Sequence, residues 1–317
     1  MRKPSPRRPA RGRDVGLGAA LALAFGALAH LPTAHAETAS VARAPRRVSP
    51  VERALSGGLL LLRSPGSLMI RVAASSFVMG SSEEEIVLAL ASCARESLGY
   101  RCDESTFTSE LPRHTARLGS FWLDRSEVTA GDYDRCAAVG RCPRRALEGG
   151  ARRFAQNDWP ATLVRARDAE TYCRARGARL PHEAELERAA RGTTGRTYPW
   201  GTNFASRLAN HGRVGLDPSD ATDGFAELAP VGSFPDGRSP DGFVDLAGNA
   251  AEWTRDTFTP RHDLPVDPAW SGALVVRGGD YASGAAFLRG AARVPLAPDE
   301  AKPTVGFRCA RSEEDAP

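Results

Sequence analysis

Lysine is nearly absent from this chain. Of 42 basic residues only Lys3 and Lys302 are lysine, and arginine supplies the rest, as expected of codon bias. No two cysteines stand at CxxC spacing and no two histidines at HxxxH spacing, which argues against a zinc cluster and a metalloprotease helix. His182-Glu183 begins like such a helix, but Leu186 occupies the place of the second histidine. His182 is instead expected to open a short helix after Pro181. Its fellows His114, His211 and His262 are scattered, and no internal repeat is present. The apolar run Val15–Leu31 is short and softened by glycine for a membrane-spanning helix.

That run has another use. It follows a basic stretch (Arg2, Lys3, Arg7, Arg8, Arg11, Arg13) and precedes the small-x-small triplet Ala34-His35-Ala36, the layout of a secretory signal over residues 1–36. The chain is therefore expected to be secreted or periplasmic, meeting a membrane only transiently through the signal. Cleavage removes six basic residues and one acid, leaving 36 basic against 37 acidic residues and a net charge near −1. The basic pI of the whole chain belongs to the signal, and no electrostatic case for nucleic-acid binding remains. All six cysteines (93, 102, 136, 142, 173, 309) follow the signal, an even number suited to an oxidising compartment. Fifteen pairings are open; close spacing favours Cys93–Cys102 and Cys136–Cys142, which leaves Cys173–Cys309.

Residues 37–58 are rich in Ala, Arg, Pro and Ser, the composition of a flexible linker. The SSFVMGS stretch predicts an opening strand. Glu83–Leu98 follows as a helix, with Ile86, Val87, Leu90 and Ala94 at helical spacing. LGSFWLD predicts another strand, and Thr129–Val139 a helix capped by Thr129. Further helices are predicted over Arg167–Arg176, ended by Gly177, and over Glu183–Arg191. From Thr193 onward Gly, Pro, Asp and Asn recur with almost no apolar period, so loops are expected to dominate. Trp200, Phe204, Phe225, Phe234, Trp253 and Trp270 in that half call for burial, and irregular backbone in this quantity needs disulfides or bound ions to hold it.

The most informative run is DGFVDLAGNAAEWTRD, Asp241–Asp256. Gly242, Gly248 and Asn249 break regular structure, so a turning loop is expected. Asp245 and Glu252 bracket the turn, and two carboxylates with inward carbonyls make the all-oxygen set that calcium prefers. The plainer reading is a Gly-Asn turn between two solvated acids.

YCRARGARLPHEAELERAARG…YPWG, then DGFVDLAGNAAEWTRD, then VVRGGDY…LRGAAR…GFRCAR resemble the formylglycine-generating enzyme (sulfatase-modifying factor) family. FVMGS, the PRH of Pro112–His114 and FWLDRSEVTAGDY precede them in the family's order, and the likeness covers about Ser67–Arg311. It implies an α+β fold: a single loop-rich C-type lectin-like domain with little regular secondary structure. Its extent is set here at 59–312, with a tail at 313–317. It also implies one or two structural calcium ions. One would be held by the Asp245 and Glu252 side chains with the Gly248 and Ala250 carbonyls, the other by Asn210 and Asp223 with the carbonyls of His211 and Phe225. By the same likeness Cys173 and Cys309 match the family's long-range disulfide.

Catalytic members of this family hold copper with two cysteines just after the RGGS-aromatic motif, and soft thiolates are what Cu(I) selects. Here Ser283 falls near the first position and the second lies among Gly284–Phe287, with no cysteine at either. Copper is therefore not expected. A second branch resembling ergothioneine-pathway sulfoxide synthases uses a three-histidine iron site with an extra helical domain, and neither feature is expected here. A third branch, resembling pyoverdine-maturation proteins, is periplasmic and lacks the cysteine pair. It keeps alive a copper-independent modifying enzyme whose pocket would draw on Arg277, Tyr281, Ser283, Arg289 and Arg293. The alternative is that Arg277 and Arg293 brace loops by pairing with acids such as Asp256 or Asp280. The favoured expectation is a calcium-stabilised binding or accessory module for a peptide, glycan or protein partner.

Overall fold

The computed structural model describes residues 52–55, 59–64, 67–96, 102–213 and 220–313. The expected signal, most of the expected linker and residues 314–317 of the expected tail lie outside the described residues. Among the described residues no helix is long and apolar enough to cross a membrane.

Among the described residues fifteen strands and α-helices follow one another from residue 52. Strands β1 (Glu52–Leu55), β2 (Leu59–Ser64), β3 (Ser67–Val72) and β4 (Ser75–Met79) lead into helix α1 (Glu83–Glu96). Strands β5 (His114–Leu118) and β6 (Phe121–Asp124) precede helices α2 (Ala130–Ala138), α3 (Ala166–Ala175) and α4 (Glu183–Arg191). The C-terminal part adds β7 (Ala251–Thr257), β8 (Leu274–Arg277), β9 (Arg293–Leu296), β10 (Val305–Gly306) and β11 (Ala310–Ser312). They form a five-stranded sheet β1-β2-β3-β6-β11, a four-stranded sheet β10-β7-β8-β9 and the pair β4-β5. Residues 52–55, placed in the linker on composition, are thus a strand paired with β2.

The helices form where capping and spacing place them. Thr129 accepts the Asp132 amide at the start of α2, and α3 gives way to Gly177 at φ +71°, a left-handed position that suits glycine. Helix α4 spans the predicted Glu183–Arg191, with His182 at its N-cap. Helix α1 differs in its buried face. Ile86, Ala89 and Cys93 point inward while Val87 is 63% exposed, because the Cys93–Cys102 disulfide fixes which stripe meets Phe107, Leu111 and Ala286. The two disulfides favoured by spacing, Cys93–Cys102 and Cys136–Cys142, are formed, as is the long-range Cys173–Cys309 pair that the resemblance implied, and no cysteine remains free.

The largest cluster gathers Tyr133, Tyr172, Phe307, Trp253 and the Cys173–Cys309 bridge, so the long-range disulfide sits inside the core. Trp253 is fully buried, and its indole N–H donates to the Val164 carbonyl at 3.0 Å, which satisfies its one polar atom. Trp270, expected to be buried, is 42% exposed and contacts Phe258 edge-on. Residues 193–250 are loop and short 3-10 turns among the described residues, as expected, but 251–312 supplies five strands. These strands are two to seven residues long, and the central ones are buried on both sides, so no alternating apolar pattern announces them. The Asp241–Asp256 run is accordingly a turn only to residue 250 and becomes β7 from Ala251.

Candidate functional site

The residues named from the sequence fall into two neighbourhoods, one on β8 and β9 with the segment between them and one on the loops before β7. On β8 and β9, Arg277 and Arg293 face each other across the ladder. Their partners are not Asp256 or Asp280 but the carboxylates of α4, whose Glu183 and Glu187 lie one helical turn apart. Arg277 Nη2 donates to Glu187 Oε2 and to the Gly290 carbonyl, both at 2.6 Å. Arg293 forks onto both oxygens of Glu183 at 3.0 Å and reaches the Ser109 and Thr259 carbonyls. Glu187 is fully buried and also accepts from Arg191 Nη1 at 2.8 Å and from the Gly80 amide at 2.7 Å. Burial opposes its ionisation, but Arg277 and Arg191 outweigh that and hold its carboxyl below the usual range. Arg289 forms a bidentate pair with buried Glu110 at 2.5 and 2.8 Å. Beside Arg277 lies a cavity of about 10 Å³, room for a single water at most. These arginines brace elements together; Arg289, while paired with Glu110, also borders a larger cavity next to α1.

Ser283 and Tyr281 are also engaged. The Ser283 hydroxyl donates to Asp280 Oδ1 at 2.9 Å and accepts the Asp280 amide at 3.1 Å, closing a turn on itself. The Tyr281 ring packs with Phe154, Leu163, Leu228 and Ala250, and burial pushes its phenol up to about 12. Helix α1 supports this segment from behind: Glu96 Oε2 accepts the Ala285 amide at 2.8 Å, and Ala286 is fully buried in the α1 cluster.

The second neighbourhood centres on Asn249, held at φ +63°. Its Oδ1 accepts from Asn210 Nδ2 at 3.0 Å and from the Ala229 amide at 2.9 Å, while its Nδ2 donates to Glu127 Oε1 at 3.0 Å. Its backbone amide donates to the Asn210 carbonyl at 2.9 Å. Gly248 is required beside it, since a Cβ there would lie 2.0 Å from that same carbonyl. The two stretches expected to bind calcium are therefore stitched together directly.

Asn210 Oδ1 is buried without a hydrogen-bond partner. Asp223 accepts the His211 amide at 2.6 Å and the Phe225 amide at 2.9 Å, which brings three of the four expected ligand residues together, with Asn210 next to His211 in the chain. A buried amide oxygen without a partner is the kind of hard donor that suits a hard cation. The Asp245 set fits only in part. Both oxygens of Glu252 are taken by Arg308 at 2.6–2.9 Å, and Asp245 Oδ2 accepts the Gly232 amide at 2.6 Å. The unpartnered oxygen here is Glu127 Oε2. Burial raises the Glu127 carboxyl well above the ordinary range, and the Asp245 and Glu252 charges push the same way. Glu127, Asp245 and Glu252 are thus buried together beside Arg308, with Arg125 also acting on Asp245. Among the described residues no group of three or more His, Cys, Asp or Glu is arranged to hold a metal ion, so a cation at either place would depend on the Asn210 amide oxygen and on backbone carbonyls.

Residues 62–313 match the sulfatase-modifying factor enzyme 1-like domain. The chain belongs to that family. It is 40% identical over 160 residues to the inactive C-alpha-formylglycine-generating enzyme 2 of Mus musculus, covering 48% of this chain and 49% of that protein. It is 37% identical over 170 residues to the formylglycine-generating enzyme of Streptomyces coelicolor, covering 49% and 53%. The chain thus spans about half the length of the curated relatives it matches. Among solved structures, PvdO from Pseudomonas aeruginosa superposes with a TM-score of 0.59 at 26% identity, over 78% of this chain and 94% of that one. The sulfatase-modifying factor fold, mixed α and β and rich in loops, is the fold of this chain.

Glu110, Glu127, Glu187, Asn249 and Arg308 were missed from the sequence. The spacing of Glu183, Glu187 and Arg191 on α4 carried a signal, since residues four apart share a helix face. Nothing local pointed to Glu110 or Arg308, whose partners lie 179 and 56 residues away.

Proposed function

We propose that this chain is an exported, calcium-stabilised binding or accessory module of the sulfatase-modifying factor family, without copper-dependent formylglycine-generating activity. The observation that carries the reading is the state of the chain's sulfur. All six cysteines are spent in disulfides, and the side chain near the first copper position, Ser283, is a hydroxyl closed onto Asp280. A hydroxyl does not replace a thiolate as a Cu(I) ligand. A curated relative at 40% identity carries the name of an inactive formylglycine-generating enzyme, which is consistent with this reading.

Export is supported by the composition of residues 1–36 and by three disulfides, which persist in oxidising compartments. Calcium is supported first by the orphaned Asn210 oxygen, whose chain neighbour His211 donates its amide to Asp223. Bound there, a divalent cation would supply positive charge that fixes Asn210, His211 and residues 223–225 against the Asn249 turn. Loops held this firmly suit recognition of a peptide, glycan or protein partner.

A second reading, a copper-independent periplasmic modifying enzyme, draws on the likeness to PvdO. It is the weaker one, because Arg277, Arg289 and Arg293 already hold buried carboxylates. The test is to incubate the purified chain with a sulfatase-motif peptide, copper and oxygen and to follow the peptide by mass spectrometry. The peptide is expected to stay unchanged; a formylglycine product would contradict the proposal.

A further inference from the structure

Helix α1 does more than cover the 285–287 turn. Its inward stripe packs on that turn, but Leu88, Ser92 and Arg95, spaced four and three residues apart, share another face. That face lines a cavity of about 290 Å³, to which Tyr198, Thr202 and Phe204 also contribute. The Tyr198 ring is held in place by a hydrogen bond from its hydroxyl to the Ala285 carbonyl at 3.1 Å and by stacking on Trp200. Leu88 is 69% exposed, so apolar surface faces an open hollow.

The charges around this hollow are unequally engaged. Arg191 donates to Glu187 and the Gly80 carbonyl, Arg289 forks onto Glu110, and Glu85 is met by Arg191 at 3.3 Å. Arg95, in the last turn of α1, makes no ion pair among the described residues. An apolar cavity lined by aliphatic and aromatic side chains, with a guanidinium that makes no ion pair among the described residues, is complementary to a flat apolar group carrying a carboxylate. The volume suffices, since a cavity of about 150 Å³ already admits benzene.

We infer that this cavity binds an aromatic carboxylate, with the ring between Leu88 and Phe204 and the carboxylate on Arg95. The site is separate in its residues from the loops assigned to calcium and does not depend on the function proposed above. The chemistry is shared by free aromatic acids and by a peptide that ends in an aromatic residue.

The test titrates the full chain with N-acetylphenylalanine, followed by saturation-transfer NMR. Binding with a dissociation constant on the order of 1 mM is expected for a ligand of this size. N-acetylphenylalaninamide, which lacks the charge, and N-acetylalanine, which lacks the ring, should each bind about tenfold more weakly or worse. Arg95→Gln should make the acid and the amide bind alike, and Thr202→Trp should block both without lowering the melting temperature. Triglycyl-phenylalanine, run alongside, separates the sources: tighter binding than the free acid assigns a peptide end, weaker binding a small acid. No saturation with N-acetylphenylalanine, or binding that neither variant changes, would overturn the inference.

Discussion

Arg277→Met tests whether the arginines of β8 and β9 are braces or chemistry. The guanidinium is 3% exposed, donates to Glu187 and Gly290 at 2.6 Å, and sits 3.4 Å from Glu183. Removing it leaves Glu187, itself fully buried, with Arg191 as its remaining ionic partner. Breaking one side of a buried pair costs about 3–5 kcal/mol. For a folded unit of this size that corresponds to a fall in melting temperature of roughly 6–20 °C. Thermal unfolding by circular dichroism, with urea unfolding as a second measure, reads the loss. The penalty should shrink by about 1 kcal/mol or more in a Glu187→Gln background, because the two side chains act as a pair. A change within about 0.5 kcal/mol would refute the reasoning, since that is the behaviour of a surface arginine. It would return Arg277 to the candidates for catalysis.

Three further outcomes follow from the same structure. Chelating divalent ions should lower the melting temperature, and Asn210→Ala should abolish that response; a ligand held at about 100 times its dissociation constant contributes about 2.7 kcal/mol, and no chelator response would remove calcium from the account. His262 is held down to about 3, first by burial and then by the Arg293 charge, with Glu187 opposing and Arg277 and His114 adding. The unfolded chain takes up the proton that the fold refuses, so stability should rise between about pH 3 and 6.5 by up to about 1.4 kcal/mol per unit, and His262→Gln should flatten that slope in pH-dependent unfolding curves. Thiol titration of the denatured chain should find no free thiol before reduction and six after it; two or more before reduction would break the disulfide assignment.

Helices were the most legible part of the fold because their signals are local. Thr129 with Asp132, Gly177, and the caps of α4 each lie within a few residues of what they control. The strands from Ala251 onward were hidden for the opposite reason: Trp253, Val275 and Val276 are buried together, so the apolar period of two that marks a half-exposed strand is lost. Val87 was assigned to the wrong face of α1 because the spacing 86, 87, 90 and 94 fits a helix as well as 86, 89 and 93 does, and the Cys93 disulfide decides between them. At the candidate site the motifs pointed to Asn210, Asp223 and Asp245 on loops and to Glu252, which proves to lie at the start of β7. They did not disclose that Arg308 occupies both oxygens of Glu252, or that Asn249 joins the loops, since those contacts cross 39 to 122 residues of chain. Bracing by Arg277 and Arg293 was legible as a kind of interaction, but the partners proved to be Glu183 and Glu187 on α4 and not Asp256 or Asp280.

The central claim is that this domain keeps the family's frame without the thiolate pair that holds copper. Titrating the unreduced, folded chain with Cu(I) against a competing Cu(I) chelator measures this directly. The account predicts that the chelator keeps the metal at every protein concentration. Stoichiometric withdrawal of one Cu(I) per chain, lost in Ser283→Ala, would contradict it.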